Sequence, residues 1–421
     1  MRFVYNTVIV LLAPFFFFRL FYRSRKASAY RSRWNERLAL YRSPSNSGVI
    51  WFHTVSFGEA EAAFPLILKV QKRYPDRKLL VTTTTLTGSN RVKQVLGKSV
   101  LHVYLPYDIP GCAARFINRY KPILGVIVET EIWPDLYRQC GNNGVPLAIV
   151  NARLSERSAR GYKRLSGLVT ETLMHLSLVA AQTQEDAQRF IEIGAFPKTV
   201  EVTGNLKFDY RIPDSLIEDG WRIRKSLFPE RLVWIAASTH KGEEEQILDA
   251  FENIRSSLDK VLLILVPRRP ERFGRVALLC KNRGYKLTRR SENKSCDEST
   301  HVFLLDTMGE LKQFYAATDL AYVGGSLVST GGHNVLEPAA LGVPVLFGPH
   351  MFNFEKIAQL LVAADGGVQV DNSNGLAEQV IRFFSDEAYR LSIGQNARAL
   401  VENNRGAVNK VLSRLDRLLD I

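Results

Sequence analysis

Short runs rich in Val, Ile and Leu recur along this chain, separated by segments with the period of amphipathic helices, and that alternation admits few folds. The runs that read as strands are Gly48 to His53, Lys78 to Thr84, Val100 to Tyr104, Ile123 to Glu129, Pro146 to Asn151, Leu176 to Gln182 and Val200 to Thr203. A second series comprises Arg231 to Ala237, Val261 to Pro267, Val302 to Asp306, Leu320 to Val323, Val343 to Phe347 and Gly367 to Val370. Strands that are apolar throughout are covered on both faces, which is the state of a parallel sheet flanked by helices. The rhythm breaks between Phe208 and Leu227, where Pro213, Asp214 and a charged helical stretch intervene. The expectation is an α/β protein of two doubly wound domains, 48–208 and 231–421, joined by a linker at 209–230. A length of 421 residues, 46% of them hydrophobic, suffices for two cores. Ligands are expected at the carboxyl ends of the strands, in a cleft between the domains.

The chain opens differently. Phe3 to Phe18 is apolar apart from Asn6, Thr7 and Pro14, and Arg19, Arg23, Arg25, Lys26, Arg31 and Arg33 follow. Charge that follows the apolar stretch is the reverse of a cleavable signal peptide, so the segment reads as a retained membrane anchor over 1–22. It either spans or lies in the interface, with a basic juxtamembrane segment and linker at 23–47. Net charge is +14, which favours a polyanionic partner. Cys112, Cys140, Cys280 and Cys296 have no metal-ligand or disulfide-framework spacing, and the scattered His53, His240, His333 and His350 read as structural residues.

The motifs cluster where strands end. In Ser56-Phe57-Gly58-Glu59 the Ser and Glu have capping-box spacing, and a carboxylate at a helix start is favoured in the ionised form that a general base requires. Glu129 and Glu131 close the strand that begins at Ile123 and point the same way if that strand continues; a buried pair would perturb each other's ionisation. Lys207, in Thr203-Gly204-Asn205-Leu206-Lys207, reads on its own as a surface lysine. Farther on come Ser238-Thr239-His240-Lys241-Gly242-Glu243-Glu244, Pro267-Arg268-Arg269-Pro270-Glu271-Arg272 and Asp306-Thr307-Met308-Gly309-Glu310. The stretch Gly324 to Pro349 follows a strand, so its paired glycines allow close backbone approach and the next helix offers unpaired N–H groups to an anion. Asn334 and Glu337, three apart, present an amide and a carboxylate suited to a ribose. The same glycines equally serve tight turns, with Glu337 as a helix cap. GxxxxGK[ST] and Asp-x-Asp are both missing, so a P-loop ATPase is disfavoured, and leaving-group charge falls to arginine, lysine and backbone N–H groups.

Taken in order, SFGE, ETEIWP, NARLS, TGNLK, PRRPER, DTMGEL and GGHNVLEPAA resemble the 3-deoxy-D-manno-octulosonic acid (Kdo) transferases of lipopolysaccharide assembly, over essentially the whole chain. The resemblance implies a GT-B fold of two Rossmann-like domains with a membrane anchor. It implies an inverting, metal-independent transfer of Kdo from CMP-Kdo to the distal glucosamine hydroxyl of a lipid A precursor, lipid IVA, with no cofactor and no nucleic acid. Residue by residue, it implies Glu59 as base and Glu129 and Lys207 as transition-state support. Pro267, Arg268, Met308, Gly309, Glu310, Asn334, Val335, Leu336 and Glu337 would contact CMP. Arg269 stands where the family often has histidine. The anionic inner leaflet of the bacterial inner membrane, on its cytoplasmic face, is the implied location. Arg23 to Arg37 would hold the leaflet, and Arg153, Arg157 and Arg160 the acceptor phosphates. Competing readings are another membrane-associated GT-B sugar-nucleotide transferase of cell-envelope assembly, a nucleotide-sugar epimerase, against whose soluble form the retained anchor argues, or a non-enzymatic polyanion-binding membrane protein.

Overall fold

In the computed structural model, which describes residues 2–26, 33–42, 47–210 and 212–420, the chain forms two compact units. The first is Met1–Asp209 with Arg405–Ile421, and the second is Tyr210–Asn404. In the first, β1 (Ile50–His53), β2 (Leu79–Thr83), β3 (Leu101–Tyr104), β4 (Leu124–Val128), β5 (Leu147–Ala152), β6 (Leu178–Ala181) and β7 (Val200–Val202) build one sheet. Its order is β3-β2-β1-β4-β5-β6-β7, parallel throughout. Alternate residues serve opposite faces: Trp51 joins the core with Phe116 and Tyr120, while Ile50 and Phe52 join Phe64 and Ile67. Gly125 of β4 is required by that packing, because a Cβ there would sit 2.7 Å from Leu147 and 3.0 Å from the Trp51 ring. The order reverses between β1 and β4, and open α/β sheets leave a crevice for ligands at that point.

The second unit repeats the architecture with β8 (Leu232–Thr239), β9 (Val261–Pro267), β10 (Leu287–Arg289), β11 (Val302–Leu304), β12 (Leu320–Val323), β13 (Val345–Phe347) and β14 (Gly367–Gln369). They lie in the order β10-β11-β9-β8-β12-β13-β14, again all parallel, with the reversal between β8 and β12. The edge strand β10 was not expected: it is three residues long, half-buried, and has no apolar run to reveal it. The stretch expected as a linker is largely the helix Asp214–Leu227, which belongs to this unit. Gly220 packs against Ala316 at a distance no Cβ would permit, and Arg224 pairs with Asp319 at 2.9 Å.

The last helix, Ala407–Leu419, differs from the expected 231–421 domain by lying in the first unit. Val408, Val411 and Leu415 share a core with Ala60, Phe64 and Ile67, and Tyr74 donates to Asp416 at 2.6 Å. The Asp209 carboxylate accepts from the backbone N–H groups of Gly406 and Val408, at 2.9 and 2.8 Å, capping that helix.

The opening apolar segment is a helix, Arg2–Lys26, with Pro14 inside it. Tyr5 donates to Asp108 at 2.8 Å, Arg2 pairs with Glu171 at 3.2 Å, and Phe16 and Phe17 pack on Tyr107. Phe3, Leu11 and Phe18 are exposed, by 84%, 73% and 66%. Among the described residues no helix is long and apolar enough to cross a membrane. Of the basic stretch, Arg31 and the side chains of Arg19, Arg23, Arg25 and Lys26 lie outside the described residues, as do residues 43–46 of the linker. Arg33 and Arg37 correct the expectation that they face the leaflet. Arg33 pairs with Glu36 and donates to the His102 carbonyl. Arg37 is buried, donating to the Thr84 carbonyl and lying over the Tyr104 ring at 4.2 Å.

Candidate active site

Glu59 sits on the first turn of the helix Phe57–Arg73, which follows β1 at the point of strand reversal. Ser56 is the N-cap, and its hydroxyl donates to Glu59 Oε1 at 2.9 Å. Glu59 Oε2 accepts from the Val55 N–H at 2.6 Å, so the carboxylate reaches one residue farther back than a standard capping box. The capping role is thus filled by a carboxylate both of whose oxygens are held. Burial pushes its pKa up to about 7; the Val55 N–H lowers it, Glu129 raises it, and Ser56 and Lys207 lower it.

Glu129 ends the neighbouring strand differently from expectation. β4 stops at Val128, and Glu129 takes φ 65°, a left-handed conformation that costs a β-carbon residue energy. Glu129 and Glu131 are consequently not alternate residues of one strand. The turn brings Glu129 Oε1 to 3.7 Å from Lys207 Nζ. Glu131 is pushed up to about 7, chiefly by burial, then by Glu59, with Glu129 contributing least. Trp133-Pro134 opens the helix Pro134–Asn142 without a side-chain cap of its own. Asp108 supplies the cap from another loop, accepting from the Asp135 and Leu136 N–H groups, each at 2.9 Å. Lys207 is held by an amide relay. Asn205 Oδ1 accepts from the Lys207 N–H, Asn205 Nδ2 donates to Gln182 Oε1, Gln182 Nε2 donates to the Asn151 backbone carbonyl, and Asn151 Oδ1 accepts from the Leu206 N–H.

Glu59 and Glu131 bind protons more tightly folded than unfolded, the reverse of a salt-bridged carboxylate. Between about pH 4.5 and about 7 the folded state thus holds more protons, and these two groups lower stability as pH rises through that window. Urea midpoints of wild type and Glu131→Gln, measured from pH 4.5 to 8, should differ in slope, with the variant losing less stability on the way up. Parallel curves would contradict the assigned environment of Glu131.

The second unit holds the other predicted residues. Pro267 ends β9, and the Arg268 N–H donates to the carbonyl of Thr239, the last residue of β8, at 3.0 Å; the Arg268 side chain is exposed. Met308 is exposed, Gly309 has φ 92°, and Glu310 is held by Arg290 at 2.7 Å and by Thr307. The Arg290 hydrogen bond keeps Glu310 below the usual carboxylate range. Asn334 accepts from the Leu336 N–H at 3.1 Å, and Glu337 lies 3.8 Å from Lys312. Val335 and Leu336 are buried, which leaves only their backbone for a ligand.

The expected anion cradle is corrected. The helix after the glycines, Leu336–Ala340, is only five residues long. The N–H groups of Gly325, Ser326 and Leu327 are occupied by the fully buried carboxylate of Glu243, at 2.7, 3.1 and 3.0 Å. Glu243 also accepts from Tyr322 Oη and from the His240 N–H. The turn is a nest for an anion, and the chain supplies its own.

The family described as 3-deoxy-D-manno-octulosonic-acid transferase matches residues 32–210, and glycosyl transferases group 1 matches 229–400. A 3-deoxy-D-manno-octulosonic acid transferase of Haemophilus influenzae is 38% identical over all of this chain and 99% of its own length. One of Bordetella pertussis is 33% identical over 99% of each. The chain belongs to the 3-deoxy-D-manno-octulosonic acid transferases. Among solved structures, UDP-GlcNAc 2-epimerase from Neisseria meningitidis matches with TM-score 0.58 and 14% identity, over 88% of this chain and 100% of that one. At that identity the likeness shows the GT-B-like fold alone.

In this Kdo transferase the structure brings Glu59, Glu129 and Lys207 together, and it adds Glu131, which the sequence reading had left at the strand end without a role. The relay residues Asn151, Gln182 and Asn205 were also missed. Asn151 and Asn205 stood inside quoted motifs, whereas Gln182 carried no signal.

Proposed function

We propose that this glycosyltransferase moves Kdo from CMP-Kdo to the distal glucosamine hydroxyl of a lipid A precursor, lipid IVA, with inversion and release of CMP. The observation that carries the reading is Glu59: a half-buried carboxylate at the strand reversal, fixed by two donors beside the Glu129–Lys207 pair. Its raised pKa matches a base that must take a proton near neutral pH. The acceptor hydroxyl gives its proton to Glu59 as its oxygen bonds the sugar carbon. The bond from that carbon to the phosphate oxygen breaks, its electron pair leaves with CMP, and Glu59 returns the proton to solvent. Lys207, held by Glu129, and Arg268 supply positive charge, so the proposal has no metal. A donor with one phosphate suits a unit whose glycine nest is already filled. Pro267, Met308 to Glu310 and Asn334 to Glu337 are the proposed CMP contacts, and Arg153, Arg157 and Arg160 the proposed acceptor-phosphate contacts.

Incubation with CMP-Kdo and lipid IVA, with and without EDTA, followed by mass spectrometry, tests the reading. Addition of Kdo in both arms is the expected result. No addition by folded protein would overturn it.

The proposal places the protein at the cytoplasmic face of the bacterial inner membrane, with the helix Arg2–Lys26 in the interface rather than across it. Its support is the exposed row of Phe3, Leu11 and Phe18 on a helix otherwise fastened to the first unit by Tyr5, Phe16 and Phe17. Each such side chain contributes about 1.5–3 kcal/mol when buried, so replacing all three with serine should weaken vesicle binding by at least about 100-fold. Co-flotation with phosphatidylethanolamine–phosphatidylglycerol vesicles measures this; undiminished flotation would remove the helix from the interface.

A further inference from the structure

His240 and His333 lie on different loops of the second unit, after β8 and after the glycine turn, and their Nε2 atoms are 2.8 Å apart. The rings are parallel to within 8°, with centroids 5.1 Å apart. The N···N gap plus two ring radii accounts for that whole separation, so the rings are joined edge to edge in one plane, in line for an N–H···N bond. Two such nitrogens cannot both carry a proton without repulsion. One donates and the other accepts, and the pair shares a single proton. That state fixes the outer nitrogens too: one Nδ1 is a donor and the other an acceptor, until a second proton makes both donors.

The fold builds this contact deliberately. Gly325 has φ 70°, and a Cβ there would stand 3.1 and 3.2 Å from the His333 ring. The turn that Glu243 locks is therefore also the seat of His333. Glu243 fastens the His240 N–H as well, at 3.1 Å, so one buried carboxylate positions both rings. Arg268, the arginine whose N–H bonds the Thr239 carbonyl, acts electrostatically on both histidines, and Arg269 and Arg272 act on His240. Arg272 is already paired with Glu244 at 2.8 Å, whereas the Arg268 and Arg269 side chains are exposed. The charged groups that act on the pair are thus Glu243, Arg268, Arg269 and Arg272, and Gly325 of the turn packs against the His333 ring. Asn334, proposed above as a nucleotide contact, is the next residue after His333.

We infer that His240 and His333 form, with Arg268, an oxyanion subsite of the donor site that takes up a proton when the anion binds. Burial and then the arginines disfavour the protonated form of both imidazoles, with His333 pushed down to about 3. An oxyanion neutralises that repulsion, and a proton added to the pair turns its accepting Nδ1 into a second donor. The ligand is the phosphate of the nucleotide or the carboxylate of the sugar, two oxyanions of one donor. The inference rests on the CMP-Kdo reading.

The test is calorimetry at pH 6.5 in buffers of different ionisation enthalpy, on full-length protein, with CMP, cytidine and free Kdo as separate ligands. Wild type should take up about half a proton or more with CMP if the phosphate is the anion, or with Kdo if the carboxylate is, and none with cytidine. His333→Gln keeps a hydrogen-bonding partner for His240 but cannot be protonated. It should lose the uptake and bind the anion about 3–30-fold more weakly. His240→Gln serves as a second variant if His333→Gln does not fold, as judged by thermal unfolding of the same samples. Binding with no uptake by wild type, or uptake unchanged in a folded glutamine variant, would overturn the subsite while leaving the donor reading intact. Failure of folded wild type to bind any of the three would overturn both.

Discussion

Glu59→Gln should fold normally, retain CMP binding, and transfer Kdo about 10²–10⁴-fold more slowly than wild type, the range spanned by general-base catalysis. Glutamine is nearly isosteric here: its carbonyl oxygen can accept from the Val55 N–H, and Ser56 can turn its hydroxyl to accept from the new amide. A structural role would thus largely survive the change, and a proton-accepting role would not. In wild type the rate should rise with pH and level off above about 7, as the carboxylate ionises. Single-turnover rates by mass spectrometry, with calorimetric CMP affinity on the same preparations, separate the two roles. Transfer within tenfold of wild type would move the base elsewhere, and Glu131, raised to the same range, would be next to test.

Glu243→Ala should be the most damaging single substitution in the second unit. The side chain is fully buried and accepts from four backbone N–H groups and the Tyr322 hydroxyl. Each donor left unmet in the interior costs about 1–3 kcal/mol, partly offset by no longer burying a carboxylate. A net loss of about 3–5 kcal/mol is expected, read from urea unfolding, together with weakened CMP binding as the glycine turn loosens. Glu243→Gln, which restores one oxygen, should fall between. A loss under about 1 kcal/mol would mean that the turn holds its shape without the carboxylate.

Glu243 also shows where reading the sequence stopped. In Lys241-Gly242-Glu243-Glu244-Glu245 it stands among charges that look solvated, and nothing local says that one of them plugs a turn some eighty residues later. The glycines were legible as a close-approach or tight turn; that the turn is a nest, and which anion fills it, were long-range facts. Strand positions were legible because a buried parallel strand is apolar on both faces, and β10 escaped because a three-residue half-buried edge has no such signature. Glu59 was legible from its capping spacing. Lys207 was not, since a lone lysine defaults to the surface, and only the family resemblance and then the 3.7 Å contact with Glu129 placed it. Arg37 misled for the opposite reason: in a basic run it looked like a membrane contact, yet its guanidinium is folded away over Tyr104.

The return of the last helix to the first unit bears on how the chain is made. A ribosome delivers residues in order, so the stripe containing Ala60, Phe64 and Ile67 emerges long before Val408, Val411 and Leu415 can cover it. For the time taken to synthesise the whole second unit, the first stands with one side of its core open. A premature stop or frameshift between Asn404 and Val411 thus strikes the core of the half of the protein made first, although the lesion lies beside the code for the other half.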